Sequence, residues 1–277
     1  MGTSTPEALL DGDAVRAALA GPGSGDSGLG AGGLWTSLEV VAVAGSTNAD
    51  LLRRGGAEGQ VLVAESQVAG RGRMGRSWVS EPGASLTFSV LLRPVSMPAS
   101  RRGWLPLLTG VSVACAVRDV SGVAAVLKWP NDVLAGSRKL AGILAEQSGD
   151  AVVIGIGLNV ATPADALPVS PAGLPATSLL VEGASVSREA LLARILLELE
   201  RRYAAFSDDP DPARTGLLAE YRALCATLGR PVRVELPGGS VLIGVAEDID
   251  ADGRLLVASP EGKPPAPVSA GDVIHVR

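Results

Sequence analysis

Apolar and polar residues alternate with a period of two along several short segments, a pattern typical of strands that bury one face. In residues 85–91 the apolar positions are Leu86, Phe88 and Val90, and residues 152–160 repeat the alternation with aliphatic side chains. Similar short apolar runs predict further strands over residues 39–43, 60–65, 126–128 and 139–146.

The strand predicted over residues 152–160 carries few side chains on its second face. Gly155, Gly157 and Asn159 alternate there with the aliphatic positions. A buried face without side chains leaves room beside the backbone, so we expect a ligand to fill it.

Apolar spacing of three and four residues predicts helices elsewhere. The clearest helix begins at Ser187 and places Leu191, Ile195 and Leu199 on one stripe. Ser46 and Thr47 can cap a helix that Gly55 ends. Further helices are predicted over residues 7–20, 98–120 and 212–228.

Two segments outside this pattern suggest the domain organisation. Residues 21–33 hold seven glycines without periodicity, so we expect residues 1–33 to form a flexible N-terminal segment that buries little. From residue 229 onward only strand patterns occur, over residues 232–236, 241–249, 255–258 and 268–276, which predicts a small barrel. The fold class is therefore α+β with a C-terminal all-β module.

Composition excludes several classes of protein. The 277 residues have a formal net charge of -5, which argues against a nucleic-acid-binding module. Cys115 and Cys225 are the only cysteines, so we expect neither a disulfide framework nor a cysteine zinc site. We expect a cytoplasmic location for the same reason. No apolar run reaches the ~20 residues that span a bilayer, and the single histidine, His275, lies in a strand pattern.

The segment Gly70 to Trp78 concentrates three arginines and three glycines between two predicted strands. Glycines let a backbone approach a ligand closely, and guanidinium groups bind phosphate or carboxylate oxygens in pairs. A solvated basic turn is the alternative, but the flanking strands favour an anion-binding loop. It lacks the Lys-Ser/Thr pair of a P-loop.

Gly-Arg-Gly-x-x-Gly-Arg-x-Trp in this loop resembles the signature of biotin protein ligases. Further blocks of that family occur in the same order, namely Ser46-Thr47-Asn48, Lys128-Trp129-Pro130-Asn131-Asp132, Lys139-Leu140-Ala141-Gly142-Ile143-Leu144 and Gly155-Ile156-Gly157-Leu158-Asn159. The resemblance covers residues 40–160 densely and the C-terminal tail more loosely.

The resemblance implies a class II synthetase-like mixed sheet over residues 34–228 and an SH3-like module over residues 229–277. It also implies an activity: ATP and Mg²⁺ convert biotin into biotinyl-5'-AMP, and biotin is then transferred to a lysine of the biotin carboxyl carrier domain of an acyl-CoA carboxylase. The chain resembles the short form of the family, for which we expect no DNA-binding domain and no membrane contact.

The resemblance also assigns roles to residues. Catalysis falls to Lys139, Arg71 and Arg73. The residues assigned to biotin are Ser46, Thr47, Asn48, Gln67, Gly70, Arg71, Gly72, Arg73, Lys139 and Gly142. Those assigned to the nucleotide are Arg73, Arg76, Trp78, Asn131, Asp132 and Asn159, with Asp132 also a candidate magnesium ligand.

Structural roles compete with some of these assignments. Ser46, Thr47 and Asn48 can cap a helix, and Asn131 and Asp132 can form a turn after a proline.

Lys139 and Gly142 pose a separate difficulty. Strict alternation puts them on opposite faces of one strand, so both reach a ligand only through a β-bulge or a backbone contact.

Lipoate protein ligase is the closest rival function, because lipoate also carries a valeryl carboxylate that is adenylated. The loop with Trp78 and the Lys128 to Asp132 block favour biotin.

Overall fold

The computed structural model describes residues 9–20, 33–168, 174–258 and 264–276. Within these residues it confirms the α+β class, with a mixed sheet and helices followed by an all-β module. The predicted linker at residues 21–33 lies outside them except for Gly33.

The larger sheet has seven strands in the order β1-β2-β3-β7-β6-β5-β4. β1 and β2 are parallel and all other neighbours are antiparallel. The strands are β1 Ser37–Ala44, β2 Gln60–Gln67, β3 Ser85–Leu92, β4 Ala125–Lys128, β5 Asp132–Ala135, β6 Arg138–Ser148 and β7 Ala151–Asn159. The short strand β5 was not predicted, because Asn131 and Asp132 were assigned to a turn.

The two faces of this sheet differ in chemistry. On one face, alternate residues of β3 and β7 such as Phe88 and Ile156 belong to the main hydrophobic core. On the other face, Leu62, Leu91 and Val153 form a smaller cluster with Leu51 of the helix α2, Thr47–Arg54. Beyond that cluster, the second face of β3 and β7 carries threonine, serine and glycine.

The helices follow the predicted apolar periodicity with adjusted ends. They are α1 Gly12–Ala20, α2 Thr47–Arg54, α3 Trp104–Ser121, α4 Arg188–Asp208 and α5 Leu217–Leu224. α3 starts six residues later than the predicted residue 98, because residues 99–101 form a separate 3-10 turn. Pro106 is tolerated because it falls in the first turn of α3, where its missing N–H has no helical partner to lose.

The C-terminal module is a five-stranded antiparallel sheet in the order β11-β10-β9-β8-β12. Its strands are β8 Pro231–Glu235, β9 Val241–Ile249, β10 Leu255–Ala258, β11 Ala266–Val268 and β12 Asp272–His275. The fold is of the SH3-like kind that the sequence predicted.

Two buried tryptophans join the module to the rest of the chain. Trp104 at the start of α3 donates its indole N–H to the carbonyl of Ala251 at 2.9 Å, and Trp129 after β4 donates to Gly253 at 3.1 Å. Both acceptors lie in the β9–β10 turn. Indole groups in a buried interface thus find their hydrogen-bond partners across it.

The N-terminal segment differs from the expectation that residues 1–33 bury little. Leu10 and Val15 belong to the main core, and α1 lies against α4. The backbone N–H of Leu10 donates to Glu65 at 2.7 Å, and the other carboxylate oxygen of Glu65 accepts from Arg188 at 2.6 Å. The expectation is therefore wrong for residues 9–20. Sequence patterns are local and gave no sign of the contact between Leu10 and Glu65, which are 55 residues apart.

We predict that Leu10→Ala lowers the free energy of unfolding by ~2–5 kcal/mol, because it removes a fully buried side chain. Thermal unfolding measures the change. The neighbouring Leu9 is about half exposed, so Leu9→Ala is a matched control that should unfold like the wild type. Equal melting temperatures for the two variants would contradict the docking of this segment.

Candidate active site

A cavity lies on the second face of the large sheet, between the start of α2 and the Arg/Gly loop. Its floor is made by neighbouring residues of β3, β7 and β6, with Thr87 paired to Gly157 and Gly157 paired to Gly142. Its lining includes Thr47, Asn48, Thr87, Lys128, Asp132 and Lys139, with Arg71, Arg73, Arg76 and Trp78 from the loop.

The Arg/Gly loop is a tight hairpin. The N–H of Trp78 donates to the carbonyl of Gly70 at 3.0 Å, and the N–H of Gly72 donates to Arg76 at 2.6 Å. A Cβ at Gly70 would lie 2.3 Å from the Trp78 carbonyl oxygen, so this position requires glycine. Gly72 lines the cavity, whereas Gly70 closes the base of the loop.

Trp78 covers the glycine strip on the cavity floor. A Cβ at Gly157 would lie 2.2 Å from the indole, and one at Gly155 would lie 2.4 Å from the Asn48 side-chain oxygen. The space beside Gly155 and Gly157, where we expected a ligand, is therefore partly filled by the side chains of Trp78 and Asn48. The indole N–H of Trp78 is buried and has no hydrogen-bond partner within the described residues.

One end of the cavity is lined mainly by hydroxyl and amide side chains. Ser46 is the N-cap of α2 but its side chain makes no capping bond. Gln67 accepts hydrogen bonds from the backbone N–H of Thr47 at 2.8 Å and from its hydroxyl at 3.1 Å. Buried Ser89 of β3 donates its hydroxyl proton to the side-chain oxygen of Asn48 at 2.6 Å, and its hydroxyl lies 2.7 Å from that of Thr47. The predicted residues Ser46, Thr47, Asn48 and Gln67 lie together at this end of the cavity. Because Ser46 makes no capping bond, capping of the helix and contact with a ligand are separate roles.

The other end of the cavity is cationic. The ammonium of Lys139 lies 2.6 Å from one oxygen of Asp132, and the ammonium of Lys128 lies 3.9 Å from the other. Burial lowers the pKa of Lys128, while the nearby carboxylates of Asp132 and Asp272 raise it. One carboxylate thus faces two lysines.

A β-bulge brings Lys139 and Gly142 to the same face, which is one of the two alternatives that the sequence left open. In the β5–β6 pairing, Leu134 faces Lys139 and Val133 faces Ala141, so Leu140 is the extra residue. A Cβ at Gly142 would lie 3.3 Å from the Lys139 ammonium. The bulge is therefore confirmed.

Each loop arginine has a partner outside the loop. Arg73 donates to Asn131 at 3.0 Å, and burial lowers its pKa although Asp132 and Asp272 oppose the shift. Arg76 forms an ion pair with Asp272 of β12.

Arg71 reaches Glu146 of β6 at 3.4 Å. Glu146 also accepts a hydrogen bond from the Asn48 amide at 2.9 Å. The carboxylate therefore links the loop to the polar end of the cavity.

Asn159 is the one predicted nucleotide contact that lies away from the cavity. Its buried amide donates to the carbonyl of Thr177 at 2.9 Å, which fixes the segment after residue 174. Strand β7 ends at Asn159, so the side chain leaves the cavity floor and turns to the neighbouring loop.

Sequence reasoning missed four residues of this site. Lys128 was quoted only as part of a block, and Ser89 and Thr87 were polar positions in an amphipathic strand. Thr87 lines the cavity with a buried hydroxyl that has no partner in the described chain. Asp272 carried no signal, because it lies far along the chain in the C-terminal module. The serine and threonine alternation in β3 was the one usable signal.

The residues do not fit a metal held by the protein alone. The described part of the chain contains no group of three or more His, Cys, Asp or Glu side chains that could hold an ion. Asp132, the candidate magnesium ligand, faces lysine ammonium groups with both oxygens.

No helix among the described residues is long and apolar enough to cross a membrane.

Comparison with known sequences connects this geometry to known proteins. Residues 42–159 match the model of the biotin/lipoate A/B protein ligase family, and residues 227–276 match the biotin protein ligase C terminal domain. The biotin--[acetyl-CoA-carboxylase] ligase of Mycobacterium tuberculosis is 44% identical over 277 residues, which cover 97% of this chain and 100% of that protein. The bifunctional ligase/repressor BirA of Escherichia coli is 35% identical over 228 residues, covering 80% of this chain and 69% of that protein.

A solved structure agrees with these matches. Biotin protein ligase from Aquifex aeolicus, in complex with biotin and ATP, superimposes with a TM-score of 0.73 at 28% identity, covering 88% of this chain and all of that one.

We predict that Gly157→Ala destabilises the fold by about 1–3 kcal/mol, because its new methyl group overlaps the Trp78 indole. The same change should cost little in a Trp78→Ala background, where the space is free. Thermal unfolding of the two single variants and the double variant gives the coupling. Additive effects of the two substitutions would contradict the contact.

Proposed function

This chain belongs to the biotin protein ligase family, and we propose that the two ends of its cavity divide the work of the family's reaction between them. The enzyme activates biotin with ATP to biotinyl-5'-AMP, releases pyrophosphate, and transfers biotin to a lysine of a carboxyl carrier domain. The observation that carries the proposed division is a cluster of two lysines around Asp132 at one end of a cavity whose other end is lined mainly by hydroxyl and amide side chains.

The cationic end is proposed to hold the biotin carboxylate and the α-phosphate. Two anions must meet for the carboxylate to attack phosphorus, and fixed positive charge lowers the cost of that encounter. Lys139 is proposed as the catalytic cation, with Arg71 and Arg73 beside it. Arg76, Asn131 and Asp132 border the same end and are proposed to contact or order the nucleotide.

The polar end is proposed to hold the ureido ring of biotin. That ring offers two N–H donors and one carbonyl acceptor. The buried indole N–H of Trp78 and the buried hydroxyl of Thr87, both without partners in the described chain, are suited to it. Thr47, Asn48 and Gln67 continue the polar wall, and Gly142 and Gly72 leave room for the apolar chain of the ligand.

These two unpaired groups also favour biotin over lipoate. The dithiolane ring of lipoate has no N–H or C=O, so it would leave both buried groups unsatisfied. An unsatisfied buried polar group costs about 1–3 kcal/mol. The rival activity is thereby disfavoured by the chemistry of the cavity.

Magnesium is proposed to enter with the nucleotide, since phosphate oxygens are ligands that it prefers and the described side chains do not form a site for it. When bound it neutralises phosphate charge. The chain's own contribution is the set of arginines and lysines that orient the anions and exclude water.

The loop from Gly70 to Trp78 is proposed to close over the adenylate. Arg73 and Arg76 can exchange Asn131 and Asp272 for phosphate oxygens, which makes closure depend on the ligand. A closed loop protects the reactive intermediate from water until the carrier arrives.

The carrier domain of an acetyl-CoA carboxylase is the proposed acceptor, as the name of the Mycobacterium tuberculosis relative indicates.

We propose a catalytic unit over residues 34–228 and a separate module over residues 229–277. The second boundary is supported by the family match that begins at residue 227. A cytoplasmic location is proposed from the free thiols of Cys115 and Cys225.

We predict that Lys139→Ala raises the activation free energy of adenylate formation by ~3 kcal/mol, which slows the reaction roughly a hundredfold. The reason is that the negative charge that builds in the transition state loses the cation that stabilises it. Lys139→Arg should also fail, since a planar guanidinium cannot take the place of a compact ammonium. Pyrophosphate release with biotin and Mg-ATP gives the rate, and circular dichroism checks folding. The neighbouring Arg138→Ala is the control and should keep wild-type rates. A wild-type rate for Lys139→Ala would remove Lys139 from the mechanism.

We predict that Thr87→Val weakens biotin binding by about 1 kcal/mol, or roughly fivefold in Kd, without lowering the melting temperature of the free protein. The hydroxyl has no partner to lose in the free protein, but it is proposed to bond the ureido ring. Calorimetry measures the affinity. Thr109 is equally buried in α3, and its hydroxyl donates to the carbonyl of Leu105 at 2.8 Å. Thr109→Val should therefore lower the melting temperature and leave the affinity for biotin unchanged. Unchanged biotin affinity in Thr87→Val would contradict the assignment of this end.

A further inference from the structure

The only histidine of the chain has a buried partner in the segment that leads into the C-terminal module. His275 is the last residue of β12, and its Nε2 atom lies 3.1 Å from the hydroxyl oxygen of Thr227. That hydroxyl belongs to a fully buried residue, and it also accepts a hydrogen bond from the backbone N–H of Trp129 at 3.1 Å. One side chain thus connects the module to the turn between β4 and β5.

The segment after α5 covers the outer edge of β4. Cys225 pairs with Leu127 in a parallel bridge, and the N–H of Ala226 donates to the carbonyl of Leu127 at 2.8 Å. Further along this edge the N–H of Trp129 donates to the hydroxyl of Thr227, which takes the place of a backbone acceptor. A buried backbone N–H without an acceptor is costly, so this edge depends on one hydroxyl group.

Hydrogen bonding fixes the direction of that hydroxyl. A hydroxyl group has one proton and two lone pairs. One lone pair of Thr227 accepts from Trp129, so its proton is free to be donated to a ring nitrogen of His275 that carries no proton. Burial and the positive charges of Lys128 and Arg230 lower the pKa of His275 to about 4, which leaves the ring neutral at pH 7. The neutral ring accepts through Nε2 and carries its own proton on Nδ1.

The turn that begins at Trp129 lies among side chains of the cavity. Lys128 directly precedes it and lines the cavity. Asn131 lies within it, donates to the carbonyl of Ile143 at 3.0 Å and accepts from Arg73 at 3.0 Å. The position of the turn therefore decides where these two lining residues point.

We propose that His275 acts through Thr227 as a positioning residue for the turn after β4. The two lining residues of this turn, Lys128 and Asn131, are thereby held in the orientation that the nucleotide needs. Neither His275 nor Thr227 lines the cavity, so the effect passes through the backbone. The inference rests on the proposed chemistry of the cationic end. It gives the C-terminal module a part in adenylate formation.

The test compares two substitutions of the histidine. His275→Phe keeps a ring without an acceptor, whereas the side-chain oxygen of His275→Gln can still accept the proton of Thr227. Pyrophosphate release is measured against ATP concentration at saturating biotin. His275→Phe should lower kcat/KM for ATP about fivefold, which is the effect of losing one hydrogen bond, and His275→Gln should restore at least about half of the wild-type value.

The affinity for biotin separates positioning from general damage. The Kd for biotin, measured by calorimetry, should be the same in His275→Phe and the wild type, because the other end of the cavity is not involved. A parallel loss of biotin affinity, or equal kinetics in the Phe and Gln variants, would contradict the proposal. So would wild-type kinetics in His275→Phe.

Arg101→Ala is the matched control. Arg101 precedes α3 and donates to Asp252 of the β9–β10 turn at 2.9 Å, so its loss also removes a bond between the module and the rest of the chain. This variant should keep the wild-type kcat/KM for ATP, whatever its melting temperature. A fall as large as that in His275→Phe would show that any loosening of the module slows the reaction, and the specific role of His275 would be lost.

A second measurement does not depend on activity. Because His275 is the only histidine, its ring gives a single pair of signals in nitrogen-15 NMR of the untagged protein. The proton should lie on Nδ1 in the wild type and in Thr227→Ser, and this preference should be lost in Thr227→Val, where no hydroxyl remains. A proton on Nε2 in the wild type, or an unchanged preference in Thr227→Val, would overturn the proposal. A wild type that releases no pyrophosphate would instead overturn the proposed function.

Discussion

The alternation of side chains along β3 and β7 is the constraint on which this structure depends. One face of the two strands carries the aliphatic and aromatic residues that pack in the main core, and the other carries Thr87, Ser89, Gly155 and Gly157. A shift of one residue in either strand would exchange the faces, exposing the core and filling the cavity. Stability and the presence of a cavity therefore both depend on the same register.

Electrostatics sets the second requirement, because a chain of net charge -5 must hold a cationic cluster in a partly buried place. Without ligands, Lys139 faces Asp132, Arg76 faces Asp272 and Arg71 faces Glu146. Entering anions must compete with these carboxylates, so affinity reflects an exchange of partners rather than the full Coulomb energy. This exchange ties the position of the loop to the presence of substrate, since the carboxylates lie on the sheet and on β12.

Much of this was readable from the sequence, for identifiable reasons. Period-two and helical patterns located most elements. The conflict between Lys139 and Gly142 on one strand left a bulge or a backbone contact as the alternatives, and the structure contains the bulge, at Leu140. Contacts between distant segments were not readable: Leu10 reaches Glu65 across 55 residues, and Arg76 reaches Asp272 across 196. Local patterns carry no information on such pairs. The position of the Asn159 side chain away from the cavity was not readable either, because the motif gives its place in the sequence but not the strand end that turns the side chain away.

The C-terminal module meets the large sheet through two contacts of different character. Trp104 and Trp129 are buried and donate to backbone carbonyls of the β9–β10 turn, so this joint does not depend on what the cavity holds. The ion pair of Arg76 with Asp272 is partly exposed and borders the cavity, so it would compete with the nucleotide in the proposed reaction. Because the first joint fixes the module, Asp272 would stay in place if the loop exchanged it for phosphate, as proposed above. Its unpaired carboxylate would then favour return of Arg76 once AMP has left. The module would thus act on the loop through the position of one carboxylate.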